Sequence, residues 1–142
     1  MSRAVHRVFV YGTLKQGFRN FSVNRGTRVP GEFVTVDALP LHVIGEFGLP
    51  WLVYQPGAGH RVTGQLFEVD HAGLAAMDAL ERVSEPGWYT RRALEVAAAA
   101  GGAPIDAVAY FGDAVRLTDW PIHAGPIERY TVQHQLLYRR HV

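Results

Sequence analysis

Two short stretches of this chain combine residue types that can bind and transform a small polar molecule. The first is Val8-Phe9-Val10-Tyr11-Gly12-Thr13-Leu14-Lys15, in which an apolar, β-rich run ends at a glycine and a small hydroxyl residue. A strand that ends this way leaves backbone N–H groups without a ladder partner, and Gly12, which lacks a Cβ, lets a ligand approach them. The alternative is a buried strand that ends in an ordinary turn.

The second stretch places an acid where an apolar residue is expected. Leu74, Met77 and Glu81 lie at positions i, i+3 and i+7, so Glu81 continues the apolar stripe of a predicted helix. Burial and the negative end of the helix dipole both disfavour a charged carboxylate there. We therefore expect Glu81 to have a raised pKa, suited to general acid–base work near neutral pH. The alternative is a boundary glutamate paired with a neighbouring arginine: Arg82, Arg91 or Arg92.

The elements that must position these two stretches are mostly strands. A helix is predicted from an N-cap at Asp70 to a stop near Ser84. A β-bulge is predicted at Gly64. The connection over residues 98–104 reads as a hairpin loop, whereas residues 128–138 form either a terminal helix or an irregular segment. Apolar runs, alternating or continuous, predict strands over residues 8–10, 32–38, 41–44, 51–54, 61–69, 88–97 and 105–111. We predict one α+β domain over residues 1–142, with a small curled sheet or barrel.

Composition argues against several classes of function. The 142 residues include no cysteine, so disulfides, thiolate nucleophiles and cysteine-ligated metals are ruled out. The formal net charge of +1 argues against dependence on nucleic-acid phosphates or an anionic membrane. The seven histidines form no His-x-x-x-His pair, and no signal peptide, membrane span, P-loop or Gly-x-Ser-x-Gly motif is recognised. We expect a cytoplasmic protein with no metal, no nucleic acid, no membrane attachment and no obligate protein partner.

Three motifs, in this order and spacing, resemble the γ-glutamylcyclotransferase family, the AIG2-like group. They are the stretch over residues 8–15, Met77-Asp78-Ala79-Leu80-Glu81, and Trp88-Tyr89-Thr90-Arg91-Arg92. Residues 45–52 and 56–59 resemble the branch of the family that acts on γ-glutamylamines. The resemblance covers residues 8–96.

This resemblance implies a small mixed β-barrel with flanking helices, and an enzyme that needs no cofactor. It implies conversion of a γ-glutamylamine, such as γ-glutamyl-ε-lysine, to 5-oxoproline and the free amine, with Glu81 as general base and then acid. The backbone of Tyr11, Gly12, Thr13 and Leu14 would bind either the α-carboxylate of the substrate or the oxyanion of the intermediate. Four side chains are further candidates for substrate binding: Pro50, Trp51, Tyr89 and Tyr110.

Several alternatives stay open at this point. Tyr110 is equally consistent with core packing. A cis Leu49–Pro50 bond would place the Trp51 indole against the substrate, but a plain turn with a buried Trp51 is an equal alternative. A separate alternative is a cyclotransferase for another γ-glutamyl compound, such as a γ-glutamyl amino acid or an antibiotic intermediate. In a different class altogether, the barrel would bind a small molecule without turnover, and Glu81 would serve binding or packing only.

Overall fold

Nine strands and two α-helices make up the regular structure of residues 5–139, the part of the chain that this computed structural model describes. The helices are α1 (His71–Leu80) and α2 (Arg116–Asp119). The strands are β1 (His6–Val10), β2 (Thr27–Arg28), β3 (Phe33–Leu39), β4 (Leu41–Ile44), β5 (Leu49–Leu52), β6 (His60–Val69), β7 (Tyr89–Ala98), β8 (Ile105–Gly112) and β9 (Ile122–Ala124). None of the helices in this part of the chain is long and apolar enough to cross a membrane.

Five of the strands close into a barrel. Their hydrogen-bonded order is β1–β8–β7–β3–β6, and β6 pairs back onto β1. Four of these pairings are antiparallel, whereas β1 and β8 run parallel with Val8 opposite Val108. The barrel is therefore mixed, and the predicted α+β fold, a small mixed barrel with flanking helices, is confirmed. The predicted hairpin between β7 and β8 is also present.

Strand β1 is buried on both faces, which explains its continuous apolar run. Phe9 and Tyr11 belong to one apolar cluster, together with residues of β3, β6 and β8. Val8 and Val10 belong to a second cluster, which includes the α1 residues Leu74 and Met77. The strand that carries the Tyr11–Leu14 turn is thus fixed from both sides.

The interior of strand β6 departs from the prediction. The shift in register lies on β3, between Val34 and Ala38, so the bulge expected at Gly64 is wrong. Gly64 is required for a different reason, because a Cβ at this position would lie 2.4 Å from the carbonyl oxygen of Val10. The absent side chain allows β1 and β6 to pack closely.

A smaller sheet of three strands, in the order β5–β4–β9, lies beside the barrel. Strands β2 and β9 were not predicted, because two or three residues are too few to show a period. Residues 128–138 are mainly irregular, with a single 3-10 turn at His134–Leu137. Of the two alternatives for this segment, the irregular one is therefore correct.

Candidate active site

A cavity that opens to solvent lies where the end of β1, the start of β5 and the end of α1 meet. The turn Tyr11–Leu14 and Glu81 both line this cavity. Pro50, Tyr89 and Tyr110 line it as well. The structure thus brings the candidate residues together, with the exception of Trp51.

The Trp51 side chain is fully buried beneath the cavity. Its ring centroid lies 4.6 Å from that of Tyr89 and 5.6 Å from that of Trp120, and its indole N–H donates to the carbonyl of Asp113 at 2.9 Å. The Trp51 indole does not line the cavity, so the expected contact between this indole and a substrate is not found. Trp51 packs against Tyr89 and supports it. The cis peptide bond within residues 5–139 is Gly125–Pro126, so the Leu49–Pro50 bond is trans.

The turn after β1 owes its shape to close packing against β5. A Cβ on Gly12 would lie 2.7 Å from Cγ of Pro50, so Pro50 occupies the space that a side chain would need. The N–H of Lys15 donates to the carbonyl of Gly12 at 3.1 Å, which closes the turn. The N–H groups of Gly12, Thr13 and Leu14 find no hydrogen-bond partner among the described residues, so they remain available to a ligand in the cavity.

Helix α1 positions Glu81 through both of its ends. Asp70 caps the N-terminus, where its Oδ1 accepts from the N–H of Gly73 at 2.8 Å. At the C-terminus the N–H groups of Arg82 and Val83 donate to the carbonyls of Ala79 and Asp78, at 3.3 and 3.2 Å, and Arg82 has φ +52°. This is a Schellman motif, which ends the helix at Leu80, earlier than predicted. Glu81 is the C-cap residue, and it lines the cavity.

Glu81 as a whole residue is half-buried, and burial of its carboxyl group raises the pKa from 4.5 to about 8. The arginines that were its alternative partners are engaged elsewhere. Arg82 pairs with Glu85 at 3.2 Å, Arg91 pairs with Asp78, and the Arg92 guanidinium lies 3.6 Å from the centroid of the Tyr54 ring. The side chain of Glu81 has no hydrogen bond or ion pair within residues 5–139, so no cation offsets the loss of hydration.

Three tyrosine hydroxyls lie close to Glu81, yet none of them donates to it. Tyr11 donates to the carbonyl of Tyr110 at 2.5 Å, Tyr89 donates to the carbonyl of Pro50, and Tyr110 donates to Oδ1 of Asp78 at 2.6 Å. Burial raises the pKa of each phenol, and the charge of Glu81 raises it further. Since each phenolic proton is used elsewhere, only lone pairs are left to face the cavity. This side of the cavity accepts hydrogen bonds, which suits an ammonium group.

The sequence did not reveal two polar residues of the cavity wall, Asn20 and Tyr138. The amide nitrogen of Asn20 donates to Oγ1 of Thr13 and to the hydroxyl oxygen of Tyr138, both at 2.8 Å. Asn20 lies in a polar loop and Tyr138 in a segment without periodicity, so neither carries a local signal. Among residues 5–139 no group of three or more His, Asp or Glu side chains is placed to hold a metal ion.

The fold and the cavity define a small closed barrel with a buried acid at the end of a helix. The chain belongs to the family described as gamma-glutamyl cyclotransferase, AIG2-like, whose model matches residues 8–129. The family resemblance drawn from the three motifs is thereby confirmed.

Several known proteins are similar to this chain. A gamma-glutamylaminecyclotransferase of Mus musculus is 44% identical over 94 residues, which cover 63% of this chain and 62% of that protein. The protein of the same name from Homo sapiens is 40% identical over 94 residues, covering 63% and 60%. The chain therefore spans about three fifths of the length of these curated relatives. The crystal structure of an AIG2-like protein from Mus musculus superposes with a TM-score of 0.74 at 33% identity, covering 97% of this chain and 96% of that one.

Proposed function

We propose that this chain converts a γ-glutamylamine to 5-oxoproline and the free amine. The observation that carries the proposal is the placement of Glu81. Its carboxyl group has a raised pKa and no partner among the described residues, and it shares one cavity with the free N–H groups of the 12–14 turn. The names of the relatives from Mus musculus and Homo sapiens support the choice of a γ-glutamylamine as substrate.

The reaction is an intramolecular acyl transfer. The α-ammonium group of the glutamyl moiety gives a proton to Glu81, and the freed nitrogen attacks the γ-carbonyl carbon to form the C–N bond of a five-membered ring. Glu81 then protonates the leaving nitrogen as the original C–N bond breaks. In total, two protons pass from the α-nitrogen to the amine, so the products are a lactam and an ammonium ion. Because the two reacting groups belong to one molecule, a cavity that holds the folded conformer contributes strongly to the rate.

The raised pKa of Glu81 suits both of its roles. A carboxyl group with a pKa of about 8 is mostly protonated at neutral pH when the cavity is empty. A bound ammonium group favours the charged carboxylate and lowers this pKa, so the base forms when the substrate arrives. The free N–H groups of Gly12, Thr13 and Leu14 would supply the fixed donors that a developing negative charge needs.

The test is to incubate the protein with γ-glutamyl-ε-lysine, γ-glutamyl-alanine or glutathione, and to measure 5-oxoproline. We expect release from γ-glutamyl-ε-lysine, and the loss of that release in Glu81→Gln with binding retained. Equal release from γ-glutamyl-alanine would refute the preference for amines. No release from any of the three by the folded protein would refute catalysis, and wild-type activity in Glu81→Gln would remove that residue from the mechanism.

A further inference from the structure

Asp78 does not line the cavity, but it holds the proton of a tyrosine that does. We propose that Asp78 is a positioning residue, which keeps the Tyr110 proton turned away from the cavity and so leaves the carboxyl group of Glu81 without a hydrogen bond from this phenol. This role deepens the function proposed above and depends on it for its catalytic meaning.

Both oxygens of the Asp78 carboxylate are used. Oδ1 accepts from the Tyr110 hydroxyl at 2.6 Å, and Oδ2 pairs with the Arg91 guanidinium. Arg91 and Tyr110 are directly opposite each other on β7 and β8, so both side chains reach α1 from neighbouring strands. A charged carboxylate is a stronger acceptor than a neutral oxygen, and a phenol has a single proton to give. The Tyr110 proton is therefore held on the helix side of the phenolic oxygen.

Glu81 shares the cavity with four phenols and, among residues 5–139, with no other charged side chain. The Tyr11 and Tyr89 hydroxyls donate to backbone carbonyls, and the Tyr138 oxygen accepts from a side-chain amide. Tyr110 is the one of the four that donates to a side chain within the described part of the protein. Its acceptor is therefore the one that a substitution can remove.

A donor turned toward Glu81 would change the chemistry of this residue. Burial raises the pKa of Glu81 to about 8, and a hydrogen bond to the charged form of a carboxyl group lowers its pKa. With a phenolic proton on its carboxylate, Glu81 would be a weaker base toward the substrate ammonium. By accepting the Tyr110 proton, Asp78 preserves the proton affinity on which both roles of Glu81 depend.

The charge of Asp78 is balanced by Arg91. Asp78 lies three positions before Glu81, and an uncompensated carboxylate at that spacing would raise the pKa of Glu81 by repulsion. The cause of the raised pKa is burial instead. Asp78 thus acts through the Tyr110 hydroxyl rather than through its own charge, and the two effects can be separated by substitution.

The test combines Asp78→Leu with Tyr110→Phe. Leucine accepts no hydrogen bond, so the Tyr110 proton is released, and we expect the pKa of Glu81 to fall by about one unit or more, a roughly tenfold loss of proton affinity. Tyr110→Phe has no proton to turn and should leave that pKa within about 0.3 unit of the wild type. Adding Asp78→Leu to Tyr110→Phe should shift it by less than half as much as in the wild type. Equal shifts in both backgrounds would overturn the proposal, because they would come from the charge of the freed Arg91.

Carbon-13 NMR of the glutamate carboxyl groups measures this pKa without turnover, and the Glu81 signal is the one missing from Glu81→Gln. In Asp78→Leu, the rise of kcat/KM for γ-glutamyl-ε-lysine with pH should move to lower pH by the same interval, whereas a merely structural role would lower the rate without moving that pH. Asp119→Leu is the matched control and should move neither, because Asp119 also pairs with an arginine, Arg116 at 3.4 Å, but accepts from no tyrosine among the described residues.

The results distinguish this role from the proposed function. If the pKa of Glu81 falls in Asp78→Leu but the wild type releases no 5-oxoproline from any substrate, the function fails and the positioning role stands. If the wild type releases 5-oxoproline and that pKa is unchanged in Asp78→Leu, the positioning role is refuted and the function stands. Should Asp78→Leu fail to fold, Tyr110→Phe decides alone. A rise of about one unit in the pKa of Glu81 would show that the phenol already donates to it and would overturn the proposal, whereas an unchanged value supports it.

Discussion

Replacing Glu81 with glutamine should stabilise the folded protein at alkaline pH while removing its proposed activity. Burial raises the pKa of Glu81 from 4.5 to about 8, so between these values the folded protein holds a proton that the unfolded chain releases. The favourable contribution of the protonated group is fully present below pH 4.5 and is lost as the pH rises through about 8. Above that pH the wild type carries a charge that its cavity solvates poorly. Glutamine has nearly the same shape and never carries that charge.

The size of this effect follows from the shift in pKa. The interval from 4.5 to about 8, at about 1.36 kcal/mol per pH unit, gives a ceiling of about 5 kcal/mol. Glu81 is only half-buried and faces a cavity with an open mouth, so solvent reduces the penalty. We therefore expect Glu81→Gln to gain roughly 2–4 kcal/mol in free energy of unfolding at pH 8.5, relative to its value at pH 4.5.

Urea denaturation followed by tryptophan fluorescence, at several pH values from 4.5 to 8.5, measures this difference. Glu85→Gln is a suitable control, because Glu85 is an exposed acid that pairs with Arg82 in the turn after α1. Its effect on the free energy of unfolding should vary by less than about 0.5 kcal/mol over the same range. A difference between wild type and Glu81→Gln that does not grow with pH would refute the burial argument. A difference that shrinks with pH would show that Glu81 has a charged partner.

Three further predictions follow from the same geometry. Since the base is the ionised form, kcat/KM should increase as the pH rises toward about 8, the pKa of Glu81, and a decrease with rising pH below that value would contradict the assignment. Gly12→Ala should cost roughly 1–3 kcal/mol in unfolding free energy and most of the activity, because its Cβ would overlap Cγ of Pro50. Adding Pro50→Ala should restore part of that stability, and a purely additive double variant would show that the two residues do not clash. Arg82→Gly should be about 1 kcal/mol more stable than Arg82→Ala in thermal or urea unfolding, because both variants lack the side chain but only glycine tolerates φ +52° without strain; equal stabilities would argue against the left-handed conformation.

The sequence alone determined the parts of this protein that depend on local periodicity. Seven of the nine strands and α1 follow from apolar spacing, and the Asp70 cap follows from its position before that spacing begins. Glu81 could be singled out because it interrupts the apolar stripe on one face of a helix. The helix was expected to end near Ser84 but ends at Leu80, because the Schellman motif at Arg82 gives no apolar signal.

The tertiary structure decided what each buried face packs against. Periodicity shows that a residue is buried but not against which partner, so Trp51 was indistinguishable from a substrate contact until its neighbours were known. The hydrogen bond from Asn20 to Tyr138 joins residues 118 positions apart, and that from Tyr11 to Tyr110 joins residues 99 positions apart. Such contacts depend on barrel closure and strand register, which are set by all the pairings together. For this reason the sequence indicates Glu81, whereas only the folded chain shows that Asn20 and Tyr138 line the same cavity.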